Sequence, residues 1–245
     1  MSRRILLPIL FASVFLIAAI VFLPARAVFD LAARPAGVSA ELVHGPVWNA
    51  DLHGVSVAGV RLERIEAGLR AWPLLTGTAT LDVIARGDGI AADGLARARP
   101  GGIALAEMSG AARLDRLPGG ANLPAGGSET VNFQIERLAF DAEGGCAEAE
   151  GSVRSAALVA IGEVYDAALP ALTGTLACAG PRLAVDYEGQ SEALALSGRL
   201  RLGAEGWTLD ATATAGERRV EPVLIALGFE EAGGTWTLRT EGAYR

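Results

Sequence analysis

Few residues in this chain have the type and spacing to do chemistry. Among its 245 residues stand only two histidines, His44 and His53, with Asp51 between them. A metal ion could share these three if a fourth ligand and a ligand-spacing motif were present, and neither is, so they read as solvated strand residues. Ser152 lies in Glu-Gly-Ser-Val-Arg, without the Gly-x-Ser-x-Gly elbow that presents a nucleophile. No glycine-rich phosphate loop follows a buried strand. Asp141, Glu143, Glu148 and Glu150 could in principle supply a glycosidase pair, but acids scattered over turns and strand edges are usually solvated. A hydrolase or transferase needs a nucleophile, a base and an orienting group. The expectation is therefore a protein with no catalytic residues, no metal and no cofactor.

The elements that must carry these residues are strands. In Trp207 to Thr214 (WTLDATAT) apolar residues occupy every second position, the mark of a strand with one buried face. Val131, Phe133 and Ile135 alternate with Asn132, Gln134 and Glu136 in the same way, as do Leu200 and Leu202 with Arg199 and Arg201, and Trp236 and Leu238 with their polar neighbours. Glycines such as Gly87, Gly89, Gly144, Gly145, Gly233 and Gly234 punctuate the intervals, and short connections of that kind join antiparallel neighbours. Two short helical segments are expected, at Ala71 to Leu75 and at Val220 to Gly228, where Pro222 suits a first turn and Gly228 a C-terminal cap. Trp48, Trp72, Trp207 and Trp236 lie on or beside apolar strand faces and are expected in the core. The predicted fold is all-β, mainly an antiparallel meander forming a curved sheet or a sandwich, with one N-terminal transmembrane helix and one or two short helices. Pro118 to Ser128 (PGGANLPAGGS) divides the body near its midpoint, between two sheets or two halves of one sheet.

The N-terminus sets the compartment. Ile5 to Leu23 is uncharged throughout and as a helix would extend about 28 Å, close to a bilayer core of about 30 Å. Arg3 and Arg4 precede it, and positive flanks stay on the cytoplasmic side, so the body should emerge into the periplasm. A cleaved signal peptide competes, since Ala25-Arg26-Ala27 has the form of a cleavage site; the length of the apolar run favours an uncleaved anchor. The expected organisation is a cytoplasmic tail at 1–4, a transmembrane helix at 5–23, a linker at 24–37 and a periplasmic β domain at 38–245.

Charge and cysteines agree with that placement. The net charge is −7, all 21 basic residues are arginine, and Arg3, Arg4 and Arg26 precede the first acid, so the body is more acidic than the whole. Such a surface offers no sustained attraction to a phosphate backbone, and nucleic acid is not an expected partner. Cys146 and Cys178 form the one available pair. In an oxidising compartment a bridge is expected, and closing 146–178 would stabilise by roughly 3 to 4 kcal/mol; two buried free thiols are the alternative.

The segment Val43-His44-Gly45-Pro46-Val47-Trp48-Asn49-Ala50, then Val60-Arg61-Leu62, then Leu69-Arg70-Ala71-Trp72-Pro73-Leu74-Leu75-Thr76-Gly77, resembles the opening of the type II secretion system protein N family, also called general secretion pathway protein N. Glu221-Pro222-Val223-Leu224-Ile225-Ala226-Leu227-Gly228, followed by the stretch from Gly233 to Gly242, is similar to the family's closing apolar helix, Leu-Gly turn and final strand. Gly45, Val47, Trp48, Trp72, Pro73, Leu227 and Gly228 carry the likeness. Pro46 stands where a hydroxyl residue is usual, and Asn49-Ala50 replaces a commoner small-Gly pair.

The resemblance implies a non-catalytic inner-membrane accessory or assembly component of the machine that exports folded proteins from the periplasm across the outer membrane. It implies contact with the inner-membrane platform and with protein C of the same system, and transfers no catalytic residue. The alternative is a periplasmic lipid-handling β protein, AsmA-like or like the single-pass lipopolysaccharide carriers, because Ala-rich strands leave a curved sheet open enough to hold an acyl chain.

Overall fold

Alternating sequences pair in the computed structural model into one antiparallel, curved sheet of fourteen strands. The structure describes residues 11, 15, 18–34, 38–57, 60–99, 101–116, 129–203 and 205–243. The strands are β1 (Leu42–His44), β2 (Ala50–Val57), β3 (Val60–Leu69), β4 (Ala79–Gly87), β5 (Ile90–Arg99), β6 (Gly102–Arg113) and β7 (Thr130–Asp141), then β8 (Cys146–Ser155), β9 (Leu172–Ala179), β10 (Arg182–Gln190), β11 (Leu194–Leu202), β12 (Gly206–Ala215), β13 (Glu230–Ala232) and β14 (Thr235–Ala243). Each lies beside its predecessor through β12, and only the last two exchange places, the order ending β12-β14-β13. Of the two expected architectures, the single sheet is the one present. Bulges where β5 meets β6 and where β7 meets β8 add local bend, and Glu107 takes φ 51° at the first of them.

Among the described residues, helices lie at the two ends of the strands. The helical turns α1 (Ala25–Val28) and the π-helical Phe29–Ala33 bury Ala25 and Phe29 against Ala50, Leu52 and Val55, so the segment read as a linker packs on β2. The short helix α2 (Ala71–Leu74) joins β3 to β4. The helix α3 (Ala157–Val164) lies between β8 and β9, and α4 (Glu221–Ala226) follows β12. These last two form the larger core: Leu158 and Ile161 meet Leu194, Leu196, Ala211, Ala213, Val220, Val223, Leu224 and Trp236. The expected helical segments at Ala71 to Leu75 and Val220 to Gly228 are thus present, while α3 was not foreseen.

The 19-residue apolar run falls mostly outside the described residues, as do 118–128. Residues 18–21 are helical, and among the described residues no helix is long and apolar enough to cross a membrane. The expected transmembrane helix therefore has no support in the fold. The sheet runs unbroken across the expected midpoint, since β6 and β7 pair from Gly102↔Asp141 to Arg113↔Thr130. Its seam lies elsewhere: β8 and β9 share only four residue pairs, Ser152↔Thr175 to Ser155↔Leu172. Beyond Ser152 the two strands are joined by the Cys146–Cys178 disulfide, with Cα atoms 5.6 Å apart, and the Cys146 amide donates to the Pro181 carbonyl in the turn after β9 at 3.0 Å. The disulfide, and not the free-thiol alternative, is what the chain forms.

Candidate functional site

The resemblance-bearing residues divide between two loops at one end of β1–β4 and one turn after α4. Gly45 closes β1 with φ +84°, a conformation in which L side chains are strained, and a Cβ there would stand 2.5 Å from the Asn49 carbonyl oxygen. That turn aims Val47 inward, where it is buried, and turns its backbone toward the chain arriving from the N-terminus. The Ala25 amide donates to the Gly45 carbonyl (3.0 Å), the Val47 amide donates to the Leu23 carbonyl (2.9 Å), and the Trp48 indole N–H donates to the Ile20 carbonyl (2.9 Å). The Gly45–Trp48 motif is a clasp for the segment that leaves the apolar run. It is tied to the next loop by the Leu69 amide, which donates to the Val47 carbonyl at 3.2 Å.

Trp72 and Pro73 form that next loop, and here the expectation of core packing fails. Trp72 is 82% exposed and Leu75 77% exposed, because α2 projects past the end of the sheet with no layer above it. Trp236 is buried as expected, whereas Trp48 and Trp207 are half-buried. Trp207 lies flat across Gly242, its register partner on β14, and Phe133 covers Gly110 on β6 in the same manner. Leu227 and Gly228 end α4: the Leu227 amide donates to the Val223 carbonyl (2.9 Å), Gly228 takes φ +87°, and the chain then delivers Phe229 into the core.

His44 is the register partner of Asp51 across β1 and β2, and Asp51 and His53 meet, but with an arginine from β3 on the carboxylate. The Arg64 guanidinium donates two hydrogen bonds to the Asp51 carboxylate (2.9 and 2.6 Å), and His53 Nε2 lies 3.4 Å from Asp51 Oδ1. Arg64, with His53 adding to it, holds the Asp51 carboxyl below the usual carboxylate range. Among the described residues no three His, Cys, Asp or Glu side chains are grouped to hold a metal. The other candidate acids are also engaged. Asp141 accepts from the Glu143 and Gly145 amides (3.0 and 2.7 Å) and so shapes the β7–β8 turn, while Glu148 and Glu150 both pair with Arg137. Ser152 sits in mid-sheet between its register partners Gln134 and Thr175, six strands from the nearer histidine strand.

One feature escaped the sequence reading. Asp93, Ser109, Gln134, Ser152, Thr175, Asp186, Arg199, Asp210 and Arg239 are register partners on consecutive strands, a polar row crossing the sheet from β5 to β14. Arg199 pairs with Asp186, and Asp210 receives both Arg201 (2.6 Å) and Arg239 (2.8 Å). Arg199 holds the Asp186 carboxyl below its ordinary range, and Arg239 followed by Arg201 does the same for Asp210. Two open cavities of about 590 and 1090 Å³ lie along this face and meet at Ser152 and Arg154. The signal was present in the charges at alternate positions of β10 and β11 and in the single acid of β12, but only the register shows that they align.

These elements define an all-β protein built on one open sheet, with a polar trough on one face and a clasp for its N-terminal segment at one end. Residues 36–239 match the family model described as Type II secretion system (T2SS), protein N, and the chain belongs to that family. It is accordingly a type II secretion component, concerned with protein transport. No curated protein and no solved structure gives a significant match.

Proposed function

We propose that the chain is a non-catalytic assembly component of the type II secretion system, held in the inner membrane by residues 5–23 with its sheet in the periplasm. The observation that carries this reading is the family match over residues 36–239, which spans almost the whole sheet. The clasp at Gly45–Trp48 supports it, because three hydrogen bonds fix the outgoing end of the apolar run to the sheet. A loose linker would let an anchor and its body move independently; this junction makes the sheet an extension of the anchor.

Docking then falls on faces more than edges. The edge strands β1 and β13 are only three residues long, and β13 covers Thr235–Thr237 of β14, so the backbone open on that side to a partner's strand is short and stepped, from β13 to 238–243 of β14. The polar trough offers paired charges and alternating donors and acceptors instead. The partners on this reading are the inner-membrane platform and protein C of the same system.

The test is deletion and complementation, reading secreted enzyme activity in the medium and outer-membrane lipid asymmetry side by side. Lost export with normal lipids, restored by the wild-type chain and by a His44→Ala, His53→Ala double variant, is the expected result. Normal export with disturbed lipids would replace this reading with lipid handling. Protease treatment of spheroplasts tests the topology, since the body should be degraded from outside.

A further inference from the structure

From Ala71 to Leu81 the chain carries no charge (AWPLLTGTATL), and the charges that flank this stretch are withdrawn to its base. There Arg70 donates two hydrogen bonds to Asp82 (2.8 and 2.6 Å), closing the loop where it leaves the sheet. At the tip Trp72, Leu74 and Leu75 are 82%, 39% and 77% exposed, an apolar cluster left uncovered by the described residues.

Several backbone groups of the loop are paired within it. The Leu75 amide donates to the Trp72 carbonyl (3.2 Å), the Thr76 amide to Pro73 (3.0 Å) and the Gly77 amide to Leu74 (3.1 Å). The Thr76 hydroxyl donates to the Pro73 carbonyl at 2.7 Å, so even the side chain of the tip is satisfied within it. Pro73 has no amide hydrogen to lose. Each backbone group paired internally lowers the cost of moving the tip out of water.

Its position supplies the occupant. Leu69, at the foot of the loop, is bonded to Val47, which is bonded to Leu23, while Trp48 reaches Ile20. The tip thus stands at the end of the sheet to which the outgoing end of the apolar run is fastened. Tryptophan concentrates at membrane–water interfaces, where its ring is half apolar and its N–H is wet.

We infer that the Ala71–Leu75 tip inserts into the interfacial layer of the bilayer, a second membrane contact beside the N-terminal run. The inference rests on that run being an anchor. Two contacts at one end of a rigid sheet fix its tilt, as one helix alone does not. The remaining strands are thereby aimed in a set direction from the membrane.

The test uses the full chain, with its disulfide intact, in vesicles of phosphatidylethanolamine and phosphatidylglycerol. A single cysteine is placed by Leu75→Cys and labelled with an environment-sensitive dye. Ile225→Cys, on the exposed side of α4 at the opposite end of the strands, serves as the control. Quenching by brominated lipid should be several-fold stronger at 75 than at 225, with the opposite order for aqueous iodide, and Trp72→Ser should reduce the lipid quenching at 75. Equal access of both dyes to iodide in vesicle-bound protein would overturn the inference and leave the anchor intact. Failure of the chain to float with vesicles would instead remove the anchor itself. A dye at 75 that becomes shielded only when other secretion proteins are added would assign the tip to a protein partner and refute the lipid contact.

Discussion

Replacing both cysteines tests the seam between β8 and β9. Cys146 and Cys178 are separated by 32 residues, and the chain-entropy relation gives about 12 cal/mol/K for a loop of that size, or about 3.7 kcal/mol near room temperature. That is roughly a 500-fold change in the ratio of folded to unfolded chain. Cys146→Ala with Cys178→Ala is the suitable pair, since Cys146 is buried and a serine hydroxyl there would need a partner. The cost should also be local. Only four residue pairs hold β8 to β9, so amides at 146–151 and 176–179 that face the seam should exchange faster than those of the continuous β6–β7 ladder. Urea unfolding gives the first quantity and hydrogen exchange read by mass spectrometry gives the second. A loss below about 1 kcal/mol would refute the entropic reasoning. A full loss with exchange raised evenly over the sheet would refute the seam.

Four further outcomes follow from the packing and the charges. Leu224→Ala, at a fully buried position of α4, should cost about 2–5 kcal/mol in urea unfolding, whereas Ile225→Ala beside it, 63% exposed, should stay within about 0.5 kcal/mol. Gly45→Ala places a side chain at φ +84° against the Asn49 carbonyl and should cost about 1–3 kcal/mol, with faster exchange at the Val47 amide as the clasp opens. Arginines hold the Asp51, Asp82, Asp186 and Asp210 carboxyls below their unfolded values, so the stability they lend is complete above about pH 4 and is lost as pH falls through the folded values. Asp186→Asn with Asp210→Asn should flatten that acid limb. At the other extreme, burial, with Asp210 adding to it, pushes the Tyr187 phenol up to about 12, so its share of stability is complete below the ordinary tyrosine value and lost on rising through about 12. Ultraviolet titration should show one tyrosine ionising late, and Tyr187→Phe should remove it.

Strand periodicity was legible where a strand has one polar and one apolar face. WTLDATAT became β12, with Ala211 and Ala213 buried and Thr212 and Thr214 exposed, as the alternation required. Chain-level alternation could not tell one sheet from two, because that choice depends on which strands find each other and not on any strand alone. The helix α3 was missed for a related reason: ALVAIGEV is apolar nearly throughout, has no capping side chain at Ala156 and contains Gly162, so neither period nor cap announces it. Trp72 shows the limit from the opposite side. Tryptophan is buried on average, and only the end of β3 tells that this one projects beyond the sheet. The clasp at Gly45–Trp48 was recognisable as a motif, but its work lies in backbone groups whose partners, Ile20, Leu23 and Ala25, no spacing rule connects to it.

The neighbour order of the strands has a consequence for biogenesis. From β1 to β12 every strand pairs with the one synthesised just before it, so a chain delivered N-terminus first never holds a strand waiting for a distant mate. The sheet can grow by zippering at a single advancing edge, each hairpin templating the next, with Cys146 already in place when Cys178 arrives. Only the closing hairpin departs from this, and it does so by laying β14 on β12 and folding β13 to the outside. That last step breaks up the growing edge: β13 covers only Thr235–Thr237 of β14, so in place of the ten continuous residues of β12 the sheet ends on a three-residue strand beside the uncovered 238–243 of β14.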